Sequence, residues 1–300
     1  MKKILVIVFL LCQTGLMFAQ TVDIACHIDA PQSSSLRNLL PKPHYAKATE
    51  GIYQGSVENA KVEIVSASEL GTFDYELAGF PNEGYKLTVA PDGINIVAAS
   101  EMGVIRAKQT LSQLAIGGNG VECCEIIDFP AFKVRGFMHD VGRSFISFDE
   151  LKNEIDLLAR FKVNVYHWHL TDNQGFRFQS KKYPALNANS SFSRFAGQYY
   201  TQEQCKELEE YARERGVIVI PEIDMPGHAS SANKAFPSLG VGDQPGSFTY
   251  NPGKEEVYTF ISNVLKEVAA LFPSQYLHFG GDEVALGNKS WAGDPYIKAL

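Results

Sequence analysis

The sequence has no surplus of positive charge: 27 Lys and Arg face 34 Asp and Glu, for a formal net charge of −7. A groove for nucleic acid needs a basic face, so no nucleic-acid partner is expected. It has no apolar run of the ~20 residues needed to cross a bilayer, so no membrane span is expected. Cysteine is scarce, at 5 residues in 300, which excludes the disulfide frameworks that hold small exported domains together. No Cys-x-x-Cys spacing offers a zinc site, and no Gly-x-Gly-x-x-Gly loop opens a dinucleotide fold. Charged residues reach only 20% against 45% hydrophobic, which excludes a disordered chain and a coiled coil. What remains is globular, long enough for one large domain or two smaller ones.

The first residues read as a transport address. Lys2 and Lys3 precede the apolar run 4–11, and small Ala19 precedes Gln20. That is the order of a secretory signal peptide, assigned to residues 1–19. Export is therefore expected, to a periplasm or to the exterior of what is expected to be a bacterial cell. Removal of the signal takes Cys12 with it and leaves Cys26, Cys123, Cys124 and Cys205, which allow one bridge of unspecified pairing. Adjacent Cys123 and Cys124 do not readily bond each other.

Two domains are expected after the signal, 20–127 and 128–300. In the first, 61–65, 85–89 and 94–97 alternate as strands, and Pro91-Asp92-Gly93 turns the last two into a hairpin. Apolar residues at helical spacing over 102–116 end at Gly117-Gly118. A small antiparallel sheet backed by a helix follows, an α+β domain.

Beyond Asp128-Phe129-Pro130 the rhythm changes. Strands at 134–141, 163–170, 217–220 and 276–279 alternate with helices at 148–161, 202–215 and 255–271. Short apolar strands separated by amphipathic helices predict a parallel sheet of βα units. Polar residues gather just after each strand: Arg143, Asp172, Asp224, His228, Asp282 and Glu283. A (β/α)8 barrel of the TIM type keeps its site there. Only about four of the eight units are present, and residues 129–300 fall short of the ~250 of a complete barrel. The sequence is therefore expected to be the front part of a longer protein or a truncated product.

Asp282-Glu283 follows an apolar strand and Gly280-Gly281, where backbone and ligand can approach closely. Adjacent carboxylates repel, so one is expected to hold its proton and serve as a general acid. Sequence neighbours are badly placed to flank a glycosidic bond from opposite sides. The pair suits a reaction in which the substrate supplies its own nucleophile. His167 and His169 share one strand face and, with His228 and Asp282, offer a metal-hydrolase alternative. Trp168 and Trp291 suit either a sugar platform or the core.

The chain resembles the β-N-acetylhexosaminidases of glycoside hydrolase family twenty. The resemblance rests on Arg135-Gly136-Phe137-Met138-His139-Asp140-Val141-Gly142-Arg143, His167-Trp168-His169-Leu170-Thr171-Asp172, Pro221-Glu222-Ile223-Asp224-Met225-Pro226-Gly227-His228 and His278-Phe279-Gly280-Gly281-Asp282-Glu283. It implies a retaining exo-glycosidase that removes terminal non-reducing β-linked N-acetylglucosamine or N-acetylgalactosamine through an oxazolinium intermediate. Glu283 is then the general acid, and Asp282 holds the 2-acetamido group. Arg143 binds sugar hydroxyls, and Asp172 and His228 form a supporting relay with Asp224 beside it. No metal or organic cofactor is implied. The sequence departs from the family at Asn173, where a second Asp is usual, and at Phe176, where Trp is common. The small domain is also short between Pro43 and Tyr85. A sugar-binding relative without turnover remains a further reading of the same residues.

Overall fold

The computed structural model describes residues 26–70, 82–287 and 290–299. The expected signal peptide, 1–19, lies outside them. The chain divides into two compact units, Met1–Lys133 and Val134–Leu300.

The first unit holds β1 (His27–Asp29), β2 (Tyr45–Tyr53), β3 (Lys61–Ile64), α1 (Ala67–Leu70), β4 (Tyr85–Ala90), β5 (Gly93–Ala98), α2 (Glu101–Leu114) and β6 (Val121–Asp128). Its six-stranded sheet runs β1-β2-β6-β4-β5-β3. The hairpin over Pro91-Asp92 forms as its alternation requires, with Val89 opposite Ile94 and Leu87 opposite Ile96. Helix α2 starts where the Ser100 hydroxyl accepts from the amides of Met102 and Gly103. It buries Val104, Ala107, Leu111 and Leu114 in the unit's core.

The sheet differs from expectation in being mixed: β1 pairs with β2 and β3 with β5 in parallel. Strands β2 and β6 escape the alternation rule. A register shift interrupts β2 between Ala48 and Ile52, and β6 buries both Cys123 and Cys124 in succession. All four described cysteines are free, three of them buried, so the allowed bridge is not formed.

The second unit contains β7 (Gly136–Asp140), α3 (Phe148–Arg160), β8 (Val165–His169), β9 (Thr171–Asp172), β10 (Gly175–Phe176), α4 (Gln202–Glu214), β11 (Ile218–Glu222), α5 (Ser230–Ala235), α6 (Glu255–Leu271) and α7 (Pro295–Lys298). Strands β7, β8 and β11 pair in parallel, in a register that sets Asp140 beside His169 and His169 beside Glu222. Capping boxes start α3 at Ser147 with Glu150 and α4 at Thr201 with Gln204. One stripe of each helix faces the sheet: Leu151, Ile155 and Ala159 from α3, Leu208 and Ala212 from α4, Val257, Phe260, Val264 and Val268 from α6. No helix among the described residues is long and apolar enough to cross a membrane.

The expected fourth strand, 276–279, is reduced to a parallel bridge between Glu222 and His278. His278 donates its amide to Pro221 O, and Ile223 and Met225 return amides to His278 O and Phe279 O. The ladder stops because Gly280 and Gly281 turn the backbone away at φ +65° and +104°. No strand among the described residues pairs with its other side.

Trp168 is wholly buried, its ring 4.9 Å from that of Tyr200 and 6.3 Å from that of Phe272. It therefore belongs to the core and not to a sugar platform. Truncating such a side chain costs about 3–5 kcal/mol. Phe176 is buried beside it in the same core.

Arg177 is the least expected member of the interior. It is fully buried, and its guanidinium donates to the carbonyls of Val141, Gly142, Arg194, Phe195 and Gln198. The rings of Phe145, Phe192 and Phe195 surround it at 4.9–6.0 Å. Burial draws its pKa down to about 10. The residue thereby fastens the end of β7 to the loop that precedes α4.

Candidate active site

Parallel register decides the location. Asp140, His169 and Glu222 end adjacent strands in line, so the residues that follow them converge on one face of the sheet. Arg143 lies in the turn after β7. Its amide donates to Asp140 Oδ1 at 2.9 Å, and Nη1 reaches Asp140 Oδ2 at 2.5 Å. Its Nη2 reaches across to Asp172 Oδ2 at 3.1 Å.

Asp172, on β9, is buried among donors. Oδ2 also faces His169 Nε2 at 3.2 Å, and Oδ1 accepts the Asn173 amide at 2.5 Å. Burial opposes its charge, yet His169, Asn173, Arg143 and His228 together hold its pKa below the usual carboxylate range. His228 Nδ1 lies 3.3 Å from Oδ1. The other ring nitrogen, Nε2, is buried without a hydrogen bond and points at the acidic pair, 3.4 Å from Glu283 Oε2 and 3.6 Å from Asp282 Oδ2.

Asp282 and Glu283 themselves are exposed, with 65% and 72% of their side chains accessible. Both His228 and Glu283 hold left-handed backbone, at φ +51° and +49°. Such a conformation costs a non-glycine residue roughly 1–2 kcal/mol. The structure thus gathers the six residues expected from sequence, with His228 at the centre.

A second layer lies beneath. Glu222 is buried and accepts from three imidazoles: His167 Nε2, His169 Nδ1 at 3.0 Å and His278 Nδ1 at 3.2 Å. Burial resists its charge, but those hydrogen bonds win and push its pKa far below the ordinary range. His169 moves the other way: burial lowers its pKa, and Asp172 and Glu222 raise it to about 10. Asp224, buried next to Glu222, is pushed up to about 6, first by burial and then by the neighbouring negative charge. It accepts the Gly281 amide at Oδ1 over 3.4 Å, and its Oδ2 has no partner.

The three histidines suggested as metal ligands do not meet in one group: His167 sits with Glu222 and His278, His228 with Asp172 and Asp224, and His169 bonds both Glu222 and Asp172. In the first group each ring already hydrogen-bonds Glu222, which accounts for the donor atoms without an ion. Trp291 is half-buried and donates its indole N–H to Tyr250 O at 3.0 Å. Glu222, Asp140 and His278 were not singled out by sequence, although the alignment of strand ends offers the signal. Arg177 had none, since Phe176-Arg177-Phe178 reads as an ordinary strand.

Two family profiles match this chain. "Glycosyl hydrolase family 20, domain 2" covers residues 21–129, and "Glycosyl hydrolase family 20, catalytic domain" covers 132–300. Among curated proteins, a beta-hexosaminidase of Porphyromonas gingivalis is 41% identical over 67% of this chain and 29% of its own length. One from Vibrio furnissii is 34% identical over 91% of this chain and 52% of its own. The chain thus spans about half, or less, of those relatives. Among solved structures, the beta-N-acetylhexosaminidase of Bacteroides fragilis superposes with a TM-score of 0.75 at 32% identity, over 87% of this chain and 59% of that one. The exo beta-N-acetylglucosaminidase of Vibrio harveyi, solved with N-acetylglucosamine, gives 0.73 at 32%, over 91% and 50%.

Proposed function

The chain belongs to glycosyl hydrolase family 20, and from that membership we propose that its protein removes terminal, non-reducing β-linked N-acetylhexosamine from glycans with retention of configuration. One observation carries the reading: His228 Nε2 lies against both members of the exposed Asp282–Glu283 pair, with Asp172 behind Nδ1.

The acetamido oxygen of the bound sugar attacks the anomeric carbon as the bond to the leaving oxygen breaks. Glu283 gives its proton to that oxygen, and the leaving group departs as an alcohol. Asp282 holds the acetamido N–H and opposes the positive charge that develops on the oxazolinium. Water then attacks the same carbon, Glu283 takes its proton, and the ring reopens to the acetamide. Arg143 receives sugar hydroxyls, with Asp140 and Asp172 fixing its fork. Asp224 supports the turn at Gly281 that precedes the pair. All of these steps are acid–base and electrostatic work, and the reading assigns no metal or organic cofactor.

The protein is read as exported, on the strength of Lys2, Lys3, the apolar run and Ala19. The mature chain is expected to begin at Gln20, a point that N-terminal sequencing of the native protein decides. The activity test uses that same native protein and a 4-nitrophenyl N-acetyl-β-glucosaminide. Nitrophenolate release by the native protein, together with cleavage of a disaccharide ending in β-linked N-acetylglucosamine that disappears in Glu283→Gln, supports the reading, and sugar binding with no turnover overturns it.

A further inference from the structure

We propose that Phe248 is a positioning residue: its ring packs against the His228 imidazole, keeps water from it and holds it in line between Asp172 and Glu283. The kinetic consequence rests on the glycosidase reading, whereas the packing does not.

The imidazole is held in its own plane by its nitrogens. Nδ1 has Asp172 Oδ1 as its nearest polar neighbour, at 3.3 Å, and an ionised carboxylate only accepts, so the bond runs from the ring to the acid. Nε2 faces Glu283 Oε2 at 3.4 Å and Asp282 Oδ2 at 3.6 Å. Contacts at two in-plane nitrogens fix an axis through the ring. They do not stop the ring from rocking about that axis, and the terminal torsion of histidine has only broad wells of its own. Packing has to supply the restraint. Phe248 supplies it, with ring centroids 5.0 Å apart and planes at 62°. The His228 side chain is only 2% accessible, while Phe248 is half-buried and stands outside the apolar core cluster of its unit. Among the described residues, the aromatic ring that Phe248 meets is that of His228.

The loop that carries Phe248 is tied down on every side of it. Phe248 O accepts the Ala229 amide at 2.9 Å, and the Tyr250 amide donates to Pro226 O at 2.9 Å, so the two bonds bracket His228. From α5, buried Asn233 donates Nδ2 to Ser247 O at 2.7 Å and to Thr249 O at 3.3 Å, the carbonyls that flank Phe248. From beyond the acidic pair in sequence, Trp291 Nε1 donates to Tyr250 O at 3.0 Å, and Ser290 Oγ meets Thr249 Oγ1 at 3.0 Å. Gly227 completes the seat: a Cβ there would stand 3.4 Å from the Phe248 ring and 3.1 Å from Asp282 O. The ring thus fills the corner where the backbone before His228 meets the backbone of the acidic pair.

Glu283 has to give its proton along one line, towards the leaving oxygen. An imidazole that rocks, or that shares its N–H with water, draws Glu283 off that line, and a misplacement of about 1 Å can cost about 10²-fold.

The test labels the native protein with 15N-histidine and assigns the His228 ring by the loss of its signals in His228→Gln. In the parent, the ring N–H that meets Asp172 is expected to persist in slow exchange with water. Phe248→Ala is expected to lose that protected signal, and Phe248→Tyr, which keeps the ring, to retain it. A signal that survives in Phe248→Ala overturns the proposal, as does its absence from the parent.

Kinetics read the same change through the acid. In Phe248→Ala, kcat on a disaccharide ending in β-linked N-acetylglucosamine is expected to fall by about 10–100-fold. The fall should exceed that on the 4-nitrophenyl glycoside by at least about threefold, because nitrophenolate leaves with little acid assistance. Inhibition by N-acetylglucosamine is expected to stay as in the parent, and Phe248→Tyr to restore the parent ratio of rates. Equal losses on both substrates mark a merely structural role and overturn the proposal. A raised KM with kcat intact also overturns it, since Phe248 then touches the substrate instead of His228. Where Phe248→Ala does not fold, Phe248→Leu carries both measurements, with the same directions expected and a smaller size. Failure of the unaltered protein to cleave either substrate overturns the glycosidase reading instead, and leaves the exchange measurement as it stands.

Discussion

A Cβ built on Gly280 would stand 1.7 Å from Asp224 Oδ1 and 3.0 Å from Glu222 Oε1. The backbone before the acidic pair therefore lies directly against a buried carboxylate, and only a residue without a side chain can pass. The positive φ of Gly280 adds a second reason for the same residue.

Gly280→Ala is expected to shift Asp224 and to displace Asp282 and Glu283 with it. Overpacking of this kind costs about 1–3 kcal/mol, so the variant folds with a lowered melting temperature while activity on the nitrophenyl glycoside falls out of proportion. Full activity at an unchanged melting temperature would show that the turn is not held against Asp224.

The acidic pair is expected to divide its labour. Glu283→Gln removes the proton donor and lowers kcat by roughly 10²–10⁴. Asp282→Asn lowers it by about 10²–10³, the usual loss for one preorganised electrostatic contact. The second loss depends on the 2-acetamido group. Rates on acetamido substrates that survive Asp282→Asn intact would rule out substrate assistance.

Asp224 predicts a pH effect on stability. Its pKa rises from 3.8 to about 6 in the folded protein, because burial and the Glu222 charge disfavour ionisation. The folded state thus holds a proton that the unfolded chain releases more readily. The resulting stability is complete below about pH 4 and is lost as pH climbs through about 6. Asp224→Asn removes this dependence. Denaturant titrations should find the variant more stable than the parent at pH 8, by about 1–3 kcal/mol, and the gap should close at pH 4. A gap that widens on acidification would contradict the assignment.

His169 acts over a higher window. Asp172 and Glu222 raise its pKa to about 10 against the desolvating effect of burial. Its contribution is whole below about pH 6.5 and fades as pH rises through about 10. His169→Gln should cost about 3–5 kcal/mol at pH 6, as expected when a buried charge loses its partner. The same variant should show a flatter stability profile between pH 7 and 10. An unchanged slope would place the alkaline transition elsewhere.

Much of this was legible in the sequence, and the reasons differ by element. Helices α3, α4 and α6 declare themselves because one stripe of each is apolar at helical spacing. The convergence of Arg143, Asp172, Asp224, His228, Asp282 and Glu283 is legible because a parallel sheet puts every strand end on one face, so that these residues needed only to follow their strands. Strand β2 was hidden by its bulge and by a partner, β6, some seventy residues further on. The segment at 276–279 has strand composition, but two glycines at positive φ end its pairing early. The Glu222 hub was hidden for another reason. Two of its three histidines come from β8 and the third from the segment bridged to Glu222, and only their register shows that they meet. Nor does an Arg between two phenylalanines reveal that its partners are all carbonyls.

Arg177 has one more consequence, which concerns divergence among descendants of this chain. Every hydrogen bond that it donates ends on a main-chain oxygen, from Val141, Gly142, Arg194, Phe195 and Gln198. Those oxygens persist whatever side chains their residues carry. The loop over 194–198 can therefore change its surface chemistry, substitution by substitution, while keeping its anchorage beside Arg143. The clamp lets variation proceed around it and forbids variation at a single place, the arginine.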